Sequence, residues 1–202
     1  MKNKIITISR QFGSGGRTIG KEVAERLGIP CYDHDLIDKA AEESGLSREY
    51  VAERGEYAQR DSWLTSVMAS GGWYTGLSNQ DLLWTVQKKI ILDIAEKGPC
   101  VIVGRCADYI LKDTANCLRV FIHADMDFRA DRIVNLYGES ADSPQKRLKE
   151  KDKRRAAYYK FYTDAEWGDV NNCHMALDSG ALGIEKCVDV ICEVYRDMPD
   201  KD

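Results

Sequence analysis

Only four of the 202 residues are proline, and no apolar run approaches the ~20 residues that a membrane-crossing helix needs. The longest aliphatic stretches, such as Ile90-Ile91-Leu92 and Val101-Ile102-Val103, are far shorter. Paired metal ligands are lacking too. The three histidines, His34, His123 and His174, form no HExxH pair, and the seven cysteines include no CxxC. A zinc knuckle or disulfide framework is thereby disfavoured, and reduced, buried thiols are expected. Met1-Lys2-Asn3-Lys4 is basic, but the run behind it meets Ser9, Arg10 and Gln11 too soon for a signal-peptide core. With a net charge of −4, there is no general excess of positive charge to coat a nucleic acid. What is present, 44% hydrophobic and 31% charged residues, suits one globular domain with a real core and excludes disorder as the main state. These features predict a soluble, cytoplasmic protein without a membrane or nucleic-acid partner.

Short β-branched segments alternate with helical ones. Ile5-Ile6-Thr7-Ile8 is expected as the first, buried strand, followed by a helix over residues 18–27 that Gly28 ends. Ile29-Pro30-Cys31-Tyr32 is the second strand, with a further helix over 36–43. Residues 45–80 are expected as a helical insertion on the acceptor side, aromatic and glycine-rich around Trp63, Gly71-Gly72-Trp73-Tyr74 and Gly76, and as a candidate surface for a homo-oligomer. A helix over 81–97 stops at Gly98-Pro99. Strands follow at 100–103 and 118–122, and Asp125 caps a helix to about Tyr137. Ser143-Pro144 opens a charged helix to about Tyr162, within a basic lid segment at 138–165. A fifth strand over 175–177 and a closing helix over 183–196 complete a three-layer α/β domain with a five-stranded parallel sheet.

The element Gln11-Phe12-Gly13-Ser14-Gly15-Gly16-Arg17-Thr18 lies between the first strand and the first helix. Glycines let successive N–H groups curl around a phosphate, and the helix N-terminus adds positive potential there. Against GxxxxGK[ST], Gln11 stands at the first glycine and Arg17 at the lysine, while Gly16 and Thr18 fit. It is a degenerate phosphate loop. An ordinary glycine-rich turn is one alternative. A dinucleotide loop is another, since Gly13-x-Gly15 begins GxGxxG and Asp33 stands where a ribose-binding acid belongs, but Thr18 replaces the third glycine.

Three segments in order carry a resemblance: Ile6-Thr7-Ile8-Ser9-Arg10-Gln11-Phe12-Gly13-Ser14-Gly15-Gly16, then Val101 to Leu111 with Gly104-Arg105 at its centre, then the basic tract ending in Arg154-Arg155-Ala156-Ala157-Tyr158-Tyr159. Through them the chain resembles the cytidylate kinase-like family of the P-loop nucleoside monophosphate kinases. The resemblance implies ATP and Mg²⁺ as cofactors and a small phosphate acceptor as substrate. It implies that Gly13, Ser14, Gly15, Gly16, Arg17 and Thr18 hold the donor's phosphates, with Arg17 in the lysine's place and Thr18 near the metal. It also implies that Arg129 and Arg132 flank the donor base.

On the acceptor side the resemblance points to Asp33, His34, Lys39 and Arg105, although only Asp33 and a rough Lys39-for-Arg match survive of the family's first acceptor motif. The aspartates that flank its Gly-Arg pair correspond here to Val103 and Cys106. The run KRLKEKDKRR at 146–155 holds seven basic and two acidic residues. Its bland reading is a solvated face. Its functional reading is a lid that brings Lys151, Arg154 and Arg155 over the polyphosphate and excludes water. The expected activity is therefore transfer of a γ-phosphoryl group to a small acceptor, with Arg17, Arg105, Arg154 and Arg155 acting on it. The alternatives are a non-catalytic nucleotide-binding module with a degenerate loop, or an NTPase acting on water.

Overall fold

Ile5, Ile6 and Ile8 are fully buried because the strand that carries them is covered on both faces. The computed structural model describes residues 3–33, 79–138, 140 and 143–199. Within them β1 (Lys4–Arg10), β2 (Cys31–Tyr32), β3 (Cys100–Val103), β4 (Asn116–His123) and β5 (Met175–Asp178) form one sheet in the order β2-β3-β1-β4-β5. Every neighbouring pair is parallel. Alternation along the strands sorts the core into two layers. Ile6, Ile8, Val101, Val103, Leu118, Val120 and Ile122 pack with Ile19, Val23 and Ala24 of α1 (Gly16–Leu27) and Val188 and Ile191 of the closing helix α7 (Ile184–Asp197). Ile5, Cys100, Ile102 and Cys117 face Ile90, Ile91 and Ile94 of α2 (Asn79–Lys97) and Ile110 and Leu111 of α3 (Ala107–Leu111).

The three-layer parallel architecture expected from the sequence is the one observed. Boundaries move for identifiable reasons. β2 is only two residues long, because Pro30 has no N–H and joins the ladder only through its carbonyl, which accepts from the Val101 N–H at 2.8 Å. Asp125 does cap α4 (Met126–Tyr137), accepting from the Phe128 N–H at 2.8 Å. Ser143, by contrast, makes no side-chain cap to α5 (Pro144–Thr163), which starts instead on Pro144, whose φ suits a first helical turn. The short helices α3 and α6 (Ser179–Leu182) were not expected, since elements of one turn show no periodicity. The helix expected at 36–43, the insertion to residue 78, and His34 and Lys39 lie outside the described residues. No helix among the described residues is long and apolar enough to cross a membrane.

The helix α5 spans the carboxyl ends of the strands. Near its start Leu148 is buried with Ala130 and Ile133 of α4. Towards its end the Tyr158 hydroxyl donates to Gln87 on α2 at 2.7 Å, and the Tyr159 hydroxyl donates to Asp108 on α3 at 2.8 Å. This places its central residues above the ends of β1 and β3.

Candidate active site

The turn from β1 into α1 is shaped by its carbonyls, which are drawn inward. The Ser14 hydroxyl is shared between the carbonyls of Gln11 (2.9 Å) and Ile122 (3.1 Å), and the Ser179 hydroxyl donates to the Ser14 carbonyl at 2.6 Å. Gly13 and Gly15 take φ of +80° and +81°, a left-handed backbone that costs a residue with Cβ roughly 1–2 kcal/mol. Gly15 caps α1, and the first helical bond runs from the Ile19 N–H to the Gly15 carbonyl at 2.9 Å. The N–H groups of Gly16, Arg17 and Thr18 therefore lie outside the helix ladder and point out of its N-terminus. With the positive end of the helix dipole, this is a site chemically suited to a phosphate.

The surrounding arginines are not equivalent. Arg17, in the first turn of α1, forms an ion pair with Asp33 just beyond β2. Arg132 on α4 donates to the Thr18 hydroxyl at 2.9 Å and lies 3.3 Å from where a Cβ on Gly15 would stand. Arg129 is 5% exposed, and its guanidinium is spent on Asp152 (2.5 Å) and the carbonyls of Phe12 and Asp125 (both 3.3 Å). Asp152 in turn accepts from the Phe12 N–H at 2.7 Å, so this pair, buried at Arg129 and half-buried at Asp152, ties α4 and α5 to the start of the loop.

A second group gathers at the end of β3. Gly104, Arg105 and Cys106 adopt φ of +83°, +57° and +54° in succession, which swings the chain from the strand into α3. Two of these residues carry side chains, so the turn stores local strain of the kind found where a side chain must be aimed. Arg105 is 8% exposed and lines a cavity of about 30 Å³ with Ser9, Arg10, Arg155, Tyr158 and Tyr159. Arg155 reaches it from α5, donating to the Arg10 carbonyl at 3.1 Å and standing 5.5 Å from the Phe12 ring centre. Below the cavity, burial raises the Asp108 carboxyl, opposed by its hydrogen bond from Tyr159. Burial and Asp108 together push the Cys106 thiol up, while Arg105 and Arg10 pull it down.

Of the residues named from the sequence, Arg105 and Arg155 come together at this cavity, and residues 13–18 form the adjoining loop. Arg154 is exposed on α5. Lys151 lies with its ammonium 5.9 Å from the Phe12 ring centre. Sequence reasoning gives Arg10 only its place in the first resembling segment and Asp108 only a structural ion pair with Arg105, and it does not foresee the hydrogen bonds of Tyr158 to Gln87 and of Tyr159 to Asp108. The tyrosines could be found only through partners on other elements, whereas Arg10, a cation at the last position of a buried strand before a glycine loop, was visible in principle.

A model of the cytidylate kinase-like family matches residues 5–181. The chain is 29% identical to a cytidylate kinase of Archaeoglobus fulgidus over 198 residues, covering 95% of this chain and 94% of that one. To a cytidylate kinase of Aeropyrum pernix it is 27% identical over 190 residues, covering 94% and 97%. A crystal structure of an uncharacterised protein from Eubacterium ventriosum superposes with a TM-score of 0.72 at 27% identity, over 96% of this chain and 98% of that one. A shikimate kinase from Bacteroides thetaiotaomicron shares the fold, with a TM-score of 0.55 at 16% identity over 95% and 98% of the two chains.

Proposed function

The chain belongs to the cytidylate kinase-like family, and from that premise we propose that it transfers the γ-phosphoryl group of a nucleoside triphosphate to a small acceptor. A nucleoside monophosphate such as CMP is the first acceptor to test, because relatives along nearly the whole chain bear the name cytidylate kinase. The observation that carries the reading is the meeting of two features at the carboxyl ends of β1 and β3. One is a glycine loop opening a helix; the other is a cavity lined by three arginines. Crevices at the carboxyl edge of parallel sheets are where such folds bind ligands.

In this reading the loop of residues 13–18, through the N–H groups of Gly16, Arg17 and Thr18 above all, and the guanidinium of Arg132 hold the donor's phosphates. Arg105 holds the acceptor, and Arg155 approaches from α5 to balance charge on the group in transit. An acceptor oxygen attacks the γ phosphorus as the bond to the bridging oxygen of the diphosphate breaks, so no covalent intermediate with the protein is needed. Mg²⁺ would be held by substrate phosphates with one or two protein oxygens rather than by an all-protein cage. The Thr18 hydroxyl and the Asp33 carboxylate that pairs with Arg17 would be the protein oxygens available to it. When bound, the metal neutralises charge on the phosphate oxygens. Arg154, Lys151 and the segment 138–165 serve as the cover that keeps water from the phosphoryl group, a role that the exposed position of Arg154 leaves to its state with ligand bound.

The Arg17–Asp33 pair also favours a second reading, in which the loop binds nucleotide without turning it over, since the expected lysine substitute is already engaged. The deciding experiment measures ADP release from ATP and Mg²⁺ with each common nucleoside monophosphate in turn and with a water blank. Stimulation by one acceptor supports the kinase. Equal release in every tube supports hydrolysis, and binding without release supports the module.

A further inference from the structure

We propose that Arg10 supplies the positive charge that the glycine loop lacks at its own lysine position. The loop ends at Gly15 and α1 begins at Gly16. Aligned one residue earlier than the sequence first suggests, GxxxxGK[ST] sets Arg10 at the first glycine, Gly15 at the second, Gly16 at the lysine and Arg17 at the hydroxyl position. In that register a glycine and a cation have exchanged places.

The packing matches the exchange. A Cβ added to Gly16 would stand 2.5 Å from Cβ and 3.0 Å from Cγ of Arg10, so the space into which a lysine at 16 would grow is filled by the stem of Arg10. The same side chain continues to Gly104, where an added Cβ would stand 3.0 Å from the guanidinium carbon and closer still to one of its nitrogens. Arg10 thus runs from the floor of the glycine loop to the turn that presents Arg105, and each end of its path is kept open by a missing Cβ. Its backbone carbonyl is held by Arg155, and its guanidinium borders the cavity that Arg105 and Arg155 share. Arg17 is less suited to the role, because its guanidinium is turned to Asp33. Three arginines line one small cavity beside the glycine loop, a local concentration of positive charge that favours an anionic ligand.

This inference rests on the reading that the loop holds a triphosphate, and it names the charge that completes that site. The test is calorimetric titration of the full chain with Mg²⁺ and ATP, and separately with inorganic tripolyphosphate, which carries the phosphates without a base. Thermal melts of each variant check folding. Arg10→Gln keeps most of the stem and removes the charge, and it should weaken both ligands by about tenfold or more, the scale of one charge-assisted contact. Arg10→Lys should retain most of the affinity. Arg10→Gly should lose it, and adding Gly16→Lys to Arg10→Gly should recover it, because the exchange restores a cation at the helix start once the stem is gone. Equal affinity of Arg10→Gln and the parent overturns the inference, as does an exchange variant that binds no better than Arg10→Gly. A parent that binds neither ligand overturns the underlying reading instead, and the inference with it.

Discussion

Arg17 and Arg105 were both expected to act on phosphate, but their surroundings differ. Arg17 is partly exposed and committed to Asp33, whereas Arg105 is buried at a strained turn and lines a cavity. Arg17→Ala should therefore act through Asp33, lowering kcat while ATP affinity, measured by titration, stays within a few-fold of the parent's. Arg105→Ala should raise the KM of the acceptor with little change in the KM of ATP, and an equal loss of ATP binding would move Arg105 to the donor side. Gly104→Ala would put a methyl group against the Arg10 guanidinium at a φ of +83°, so it should cost roughly 1–2 kcal/mol in denaturant unfolding from the backbone alone. Asp108 gives a prediction in pH. Burial raises its carboxyl, so the folded chain keeps a proton that the unfolded chain releases from about pH 4 upward. Stability contributed there is present at low pH and falls as pH rises, by at most about 1.4 kcal/mol per unit, until the raised pKa is passed. Asp108→Asn removes this fall, so the Tm of the variant relative to the parent should climb from pH 4 and then level off. Parallel Tm curves would refute it.

At the scale of elements, the strands were legible because buried parallel strands are short, continuous and β-branched, and the glycine loop because phosphate-binding turns have few solutions. The one-turn helices α3 and α6 were not, and neither was the anchoring of α5. Its charge suggested a helix facing solvent or a lid, and what charge did not reveal is its anchoring: Leu148, Tyr158 and Tyr159 are buried, and Asp152 is joined to Arg129 and to the Phe12 N–H. Such partners lie on elements distant in sequence, and no local pattern announces them. Asp152→Ala would leave the buried Arg129 guanidinium without its carboxylate, which should cost about 3 kcal/mol in urea unfolding. Adding Arg129→Leu should recover part of that loss, since the stranded charge is then gone. A double variant no more stable than Asp152→Ala would show that the loop contact, not the charge pair, carries the effect.

For the whole molecule, alternating strands and helices implied a parallel three-layer domain, but not the strand order, which depends on crossovers that periodicity does not encode. The order β2-β3-β1-β4-β5 brings the end of β3, with Arg105, beside the end of β1, with Arg10 and the loop. Two segments nearly a hundred residues apart thus meet across one crevice, one proposed for the donor and one for the acceptor. This juxtaposition underlies the claim of transfer rather than hydrolysis. The most direct test follows the γ-phosphoryl group itself by phosphorus NMR, in a mixture of the protein, ATP, Mg²⁺ and the monophosphate that most stimulates ADP release. The account predicts a new β-phosphate resonance from the diphosphate of that acceptor, growing as the γ resonance of ATP declines. Growth of inorganic phosphate alone at the same rate would contradict it.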